Sequence, residues 1–246
     1  MGDRETAVSL VRSGTDVACD RDGSPTWTLE PWLELEQSVR EDGPEPEVLI
    51  DALAREALPE RYRVIAMLGA GLGLRQGEAF GLSPDDIDWL RGTVQVRRQV
   101  KLIGSHEVFG PLKYGLEREV PLPDSVKEWL AAYLASWPAR PITLPWRDPE
   151  RGKSTTVRLM ATTRERMVIG RNYFNANIWK PALREAGVPV TRANGTHALR
   201  HFFASALLAG GESIRAVSEY LEHVDPGFTL RTYTHQCPAE SDVVIL

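Results

Sequence analysis

Apolar residues first settle into a rhythm at Val48. Through LIDALAREALPERYRVIAMLGAGLGL they recur at three- and four-residue steps, the spacing of helices with one buried face, and Pro59 marks a break between two of them. After RQGEAFGL, Ser83, Pro84 and Asp85 form a helix-start signal. TVQVRRQV and HEVFGPLKYGLEREVPLP then switch to a period of two, with Gly115 as a turn, and predict a small antiparallel sheet. DSVKEWLAAYLASW returns to helical spacing, with Asp124 as N-cap and closure before Pro138. Residues 138–170, rich in Pro, Arg and Thr, read as a hairpin or loop. NYFNANIWKPALREAGV reads as a helix, Thr196 caps HALRHFFASALLAGG, and Ser213 caps SIRAVSEYLEH. No internal repeat is visible. The expected fold is α+β, mainly α-helical, with one small antiparallel sheet inserted after the first helices.

The first 46 residues follow no such rhythm except around Trp32 to Val39. They mix Gly, Ser, Asp, Glu and Pro, end in EDGPEPE, and read as an acidic, mobile arm or linker ahead of a folded unit at 47–246. Across 246 residues, 42% hydrophobic composition is enough for a substantial core. No apolar run approaches the length of a membrane span and the N-terminus is polar, so a cytoplasmic protein with no membrane partner is expected. Cys19 and Cys237 are far apart and flank no other metal-ligand residues, which suggests neither a zinc site nor a disulfide framework.

The net charge of −5 conceals a division along the chain. Residues 1–50 hold 12 acidic and 4 basic residues, net −8, leaving 25 basic against 22 acidic residues after them, net +3. Residues 151–200 are the most lopsided, with Glu165 and Glu185 against ten arginines and lysines. That balance suits an anionic partner, although a solvated charged face is the commoner origin of such a run.

Candidate chemistry lies in four places. In THALRHFF, His197 and Arg200 stand three apart on the first turn of a capped helix, so they share a face beside free backbone N–H groups, a setting that favours a phosphate. In GLRQGEAFGL, Arg75 lies between two glycines with Glu78 three residues on. Lys113 precedes Tyr114 and Gly115 at a turn between strand-like segments. Near the end, His223 precedes Tyr233 by ten residues in LEHVDPGFTLRTYTH. Each piece alone has a plainer reading: a capping histidine with a surface arginine, an Arg–Glu pair at a helix corner, a solvated lysine, a half-buried tyrosine.

Together the four boxes, in this order, resemble the tyrosine recombinases, or phage-type integrases, over about residues 47–235. GLRQGEAFGL is similar to that family's GLR-x-GE box, LKYGLEREVPLP to its lysine-bearing hairpin, THALRHFFAS to its H-x-L-R-H box, and LEHVDPGFTLRTYTH to its histidine and tyrosine segment. The resemblance implies an integrase-like catalytic domain and a site-specific recombinase that cuts and rejoins double-stranded DNA. Tyr233 would attack the scissile phosphate to give a 3'-phosphotyrosyl link, with Arg75 and Arg200 as a bidentate clamp and His223 as a further donor. His197 would assist the phenol as base and Lys113 protonate the leaving 5'-oxygen, with neither ATP nor any metal or other cofactor. It also implies a tetramer on paired DNA sites, with accessory DNA-bending or directionality proteins as possible partners.

Two departures stand out. Glu222 occupies a position where the family usually has glycine, and a carboxylate there would either weaken a phosphate pocket or point to solvent. The 46-residue arm is too short for the helical core-binding domain that normally precedes the catalytic one. Other functions fit the same residues: a truncated, inactive or regulatory DNA-binding remnant of a mobile-element integrase, or a nicking-closing enzyme like the type IB topoisomerases.

Overall fold

A computed structural model describes residues 57–222. The expected arm at 1–46, nearly all of the helix expected between Val48 and Pro59, and His223 and Tyr233 lie outside the described residues. Pro59 stands at the head of helix α1 (Glu60–Leu72), and after a short link comes α2 (Gln76–Gly81). Ser83 caps only a single 3₁₀ turn, Pro84–Asp86, accepting a hydrogen bond from the Asp85 N–H at 3.2 Å. Five strands follow: β1 (Ile87–Asp88), β2 (Thr93–Val96), β3 (Gln99–Ile103), β4 (His106–Gly110) and β5 (Arg118–Pro121).

These strands form two sheets where one was expected. β1, β2 and β5 make an antiparallel three-stranded sheet, while β3 and β4 pair only with each other. In LKYGLEREVPLP, the residues ahead of Arg118 therefore connect one sheet to the other and the rest is β5, so the stretch is not a hairpin whose arms pair. Gly115 does make its turn, at φ +76°. Helix α3 (Asp124–Ser136) follows. Asp124 is its first helical residue and Pro123 its N-cap, so the Asp124 carboxylate binds Lys127 Nζ at 2.7 Å instead of capping backbone. Residues 138–170 contain the hairpin β6 (Arg140–Pro145) and β7 (Ser154–Leu159), a third sheet.

The helix expected over NYFNANIWKPALREAGV has three parts: α4 (Arg171–Phe174), a π turn (Asn175–Trp179) and α5 (Lys180–Glu185). Pro181 has no N–H to give to the ladder, and the wide turn sits immediately before it. Helices α6 (His197–Ala209) and α7 (Ile214–Tyr220) complete the described chain. Thr196 is the residue before α6, but its side chain makes no capping bond, whereas Ser213 caps α7 through the Ala216 N–H at 3.1 Å.

One apolar core runs beneath all of this, from Leu58 in front of α1 to Leu221 behind α7. Its centre is the close packing of α1 on α6. A β-carbon at Gly69 would come within 2.9 Å of Leu199, so the missing side chain sets that approach. At the end of α1, Gly73 turns left-handed at φ +63°, and the Gly73 and Leu74 N–H groups close the helix on the carbonyls of Gly69 and Leu68, each at 3.1 Å. This reversal sends Leu74 and Arg75 back across α6.

Gly73→Ala therefore combines an unfavourable φ with a β-carbon 2.5 Å from the Phe203 ring. Denaturant titration should show a loss of about 2–4 kcal/mol in unfolding free energy. Gly187→Ala, at φ +70° with nothing within 4 Å of its β-carbon, should lose only about 1 kcal/mol.

Candidate active site

Beneath the floor of the site lies a carboxylate. Glu78 is buried on α2, and both of its oxygens accept two hydrogen bonds. Arg75 gives its backbone N–H at 2.9 Å and its Nη1 at 2.9 Å. Arg118, the first residue of β5, gives Nη2 at 2.6 Å and Nη1 at 3.2 Å. Burial alone would raise the Glu78 pKa, but the hydrogen bonds and charge of Arg118, followed by those of Arg75, hold it down at about 2. The carboxylate fixes both guanidinium groups while remaining ionised.

Both arginines also reach the end of α7. Arg118 Nε donates to the Tyr220 carbonyl at 2.6 Å, and Arg75 Nη2 to the Leu221 carbonyl at 3.2 Å. Arg200, buried on α6, donates Nη1 to the Gly73 carbonyl at 2.6 Å and Nη2 to the same Leu221 carbonyl. The structure thus brings Arg75 and Arg200, 125 positions apart in sequence, onto one oxygen. Glu222 turns inward: its Oε2 lies 2.5 Å from Arg75 Nη1 and 3.8 Å from Arg118 Nη1.

His197 opens α6 one turn before Arg200, its ring 5.9 Å from that of His201. Protein packed around part of the His197 ring, then the charges of His201, Arg200, Arg75 and Arg171, lower its pKa below the usual histidine value. It is therefore neutral at pH 7, the form in which an imidazole accepts a proton. Lys113 lies elsewhere, exposed on the turn between β4 and β5, with Nζ 5.2 Å from the centre of the Tyr114 ring. His223 and Tyr233 lie beyond the described residues.

Arg75, Arg200 and His197 line a cleft of roughly 1660 Å³ that continues along β3 and the π turn. Its described walls add Lys101, Arg171, Lys180, Arg192 and His201, and include no acidic residue. Four of the ten basic residues in 151–200 thus face it. Among the rest, Arg158 pairs with Asp85 at 3.2 Å on the exposed surface.

Arg118, Lys101 and His201 were not singled out from the sequence. Arg118 had a signal: in REVP it shares the period-two phase of buried Val120, where a charged side chain requires a buried partner.

Residues 42–240 match the model of the phage integrase family. A XerC-like tyrosine recombinase of Caldanaerobacter subterraneus subsp. tengcongensis is 30% identical over 200 residues, 76% of this chain and 49% of that protein. Tyrosine recombinase XerD of Staphylococcus epidermidis is 31% identical over 177 residues, 71% of this chain and 50% of that one. The chain thus spans about half the length of these relatives. Among solved structures, the Tn1549 transposon integrase in complex with a circular-intermediate DNA matches with a TM-score of 0.61 at 15% identity, covering 80% of this chain and 64% of that one. XerA recombinase matches at 0.52 and 19% identity, with 82% and 69% covered. At these identities the two structures share the fold.

Two outcomes follow. Because Glu78 is held at about 2, below its ordinary 4.5, its contribution to stability is present above about pH 4.5 and is lost as pH falls towards 2. Wild type should exceed Glu78→Gln in unfolding free energy by on the order of 3 kcal/mol near neutrality, a gap that closes through that window in pH-dependent denaturant titrations. Because His201 helps lower the His197 pKa, His201→Ala should raise the His197 midpoint in an NMR titration of its ring protons. An unmoved midpoint would show that the two rings do not interact.

Proposed function

The chain belongs to the phage integrase family, and on that premise we propose that it is a site-specific recombinase. It cuts and rejoins double-stranded DNA through a 3'-phosphotyrosyl intermediate, with residues 47–246 as its catalytic domain and 1–46 as an acidic arm. The observation that carries this reading is the convergence of Arg75 and Arg200 on one carbonyl, two residues before His223, at the floor of a cleft whose charged lining among the described residues is all basic. Planar guanidinium groups suit the non-bridging oxygens of a phosphodiester, where a lysine would act only as a point charge.

The roles divide by atom. The Tyr233 phenol oxygen attacks phosphorus, the bond to the 5'-oxygen breaks, and that oxygen leaves as a hydroxyl. His197, neutral at pH 7, takes the phenol proton, and Lys113 on its exposed turn supplies a proton to the leaving oxygen. Arg75, Arg200 and His223 neutralise the charge that builds on the phosphoryl oxygens. Loss of one such donor costs roughly 100- to 1000-fold in rate. A 5'-hydroxyl of a second strand then attacks the phosphotyrosine and reverses the step, conserving the bond without ATP or metal. Exchange between two duplexes cuts four strands, which calls for four copies of the chain on paired sites. Accessory DNA-bending or directionality proteins would set the course of the exchange.

Incubation with a nicked duplex that traps the cleaved state tests the assignment. Wild type should form a covalent protein–DNA adduct and Tyr233→Phe none. An adduct that persists in the variant, or that maps to Tyr220 or Tyr173, overturns it.

A further inference from the structure

Glu222 adopts φ +53°, a left-handed conformation that residues with a β-carbon rarely take. That geometry turns its side chain inward. The carboxylate is buried, with 5% side-chain exposure, and Oε2 lies 2.5 Å from Arg75 Nη1. Its other oxygen, Oε1, is buried without a hydrogen-bond partner among the described residues. A carboxylate that ties down one oxygen and leaves the other desolvated fits its site poorly. Glu78, with four hydrogen bonds, shows what a fixed carboxylate looks like a few ångströms away.

The contested group is Arg75 Nη1. One of its hydrogens goes to Glu78 Oε1 and the other to Glu222 Oε2. Arg75 keeps 19% of its side chain open to the cleft, against 6% for Arg118, so an anion entering the cleft meets Arg75. We infer that the Glu222 carboxylate is a built-in occupant of the anion position on Arg75, and that a DNA phosphate binds there only by displacing it. This rests on the reading of Arg75 as a phosphate-binding residue. The three arginines and two glutamates of the site sum to +1 with Glu222 in place and to +2 once it has left, so the pocket gains attraction for a phosphate as the carboxylate departs. Departure is favoured by the backbone, because return of Glu222 to negative φ relieves the left-handed turn. Arg75 stays aligned meanwhile through Glu78 and Arg118.

Inorganic phosphate, titrated calorimetrically into the whole chain, tests this without requiring recombination. Glu222→Gln keeps the side-chain shape but removes the charge, and Glu222→Gly removes the side chain and suits the left-handed backbone. Both should bind phosphate about tenfold more tightly than wild type, since the fraction of open sites rises. Adding Arg75→Lys to Glu222→Gln should abolish the gain, placing the anion on the arginine. Equal or weaker phosphate binding in both single variants overturns the inference and would make Glu222 a positioning residue for Arg75. Adduct formation by wild type on the nicked duplex is read separately. A phosphate gain without an adduct upholds the inference and removes the recombinase reading, and an adduct without a gain does the reverse.

Discussion

Four hydrogen bonds to one buried carboxylate organise the cleft. Glu78 is held by Arg75 from its own helix corner and by Arg118 from a strand 40 positions later. An ion buried this deeply is tolerable only when every acceptor site is filled. The arrangement therefore behaves as a unit: without Glu78, two guanidinium groups lose their common anchor, and without Arg118, the carboxylate keeps only Arg75. The arginines in turn hold the carbonyls of Tyr220 and Leu221, so α7 ends where this network places it.

Packing and electrostatics reinforce each other here. Gly69 and Gly73 bring α1 against α6 closely enough for the Gly73 carbonyl to accept from Arg200. The same approach sets Arg75 beside Arg200, where two like charges would repel if Glu78 and the backbone carbonyls did not compensate them. The negative charge of Glu78 that holds the arginines lies beneath the cleft, and the charged residues of its described walls are all basic. A polyanion entering the cleft meets positive charge already paid for by buried partners.

Local signals are legible in this sequence, and distant pairings are not. The helical spacing of α1, α3, α6 and α7, the start of α1 behind Pro59, the Ser213 cap and the turn at Gly115 follow from properties of neighbouring residues. Arg75, His197 and Arg200 were singled out by their boxes and line one cleft. The partition of five strands into two sheets was not legible, because alternation reveals a strand's faces without naming its partner. Thr196 has the right position but no capping bond, since its backbone is already helical at φ −55°, ψ −16°. Glu222 offered only its charge, and its inward direction comes from a backbone dihedral sign that no side-chain pattern displays.

The Leu221 carbonyl, gripped by both Arg75 and Arg200, also fixes a point from which the distance to Tyr233 is bounded by chain length alone. Tyr233 follows it by a dozen residues, and a polypeptide extends by no more than about 3.6 Å per residue, so the phenol lies within about 50 Å of the paired arginines whatever path the chain takes.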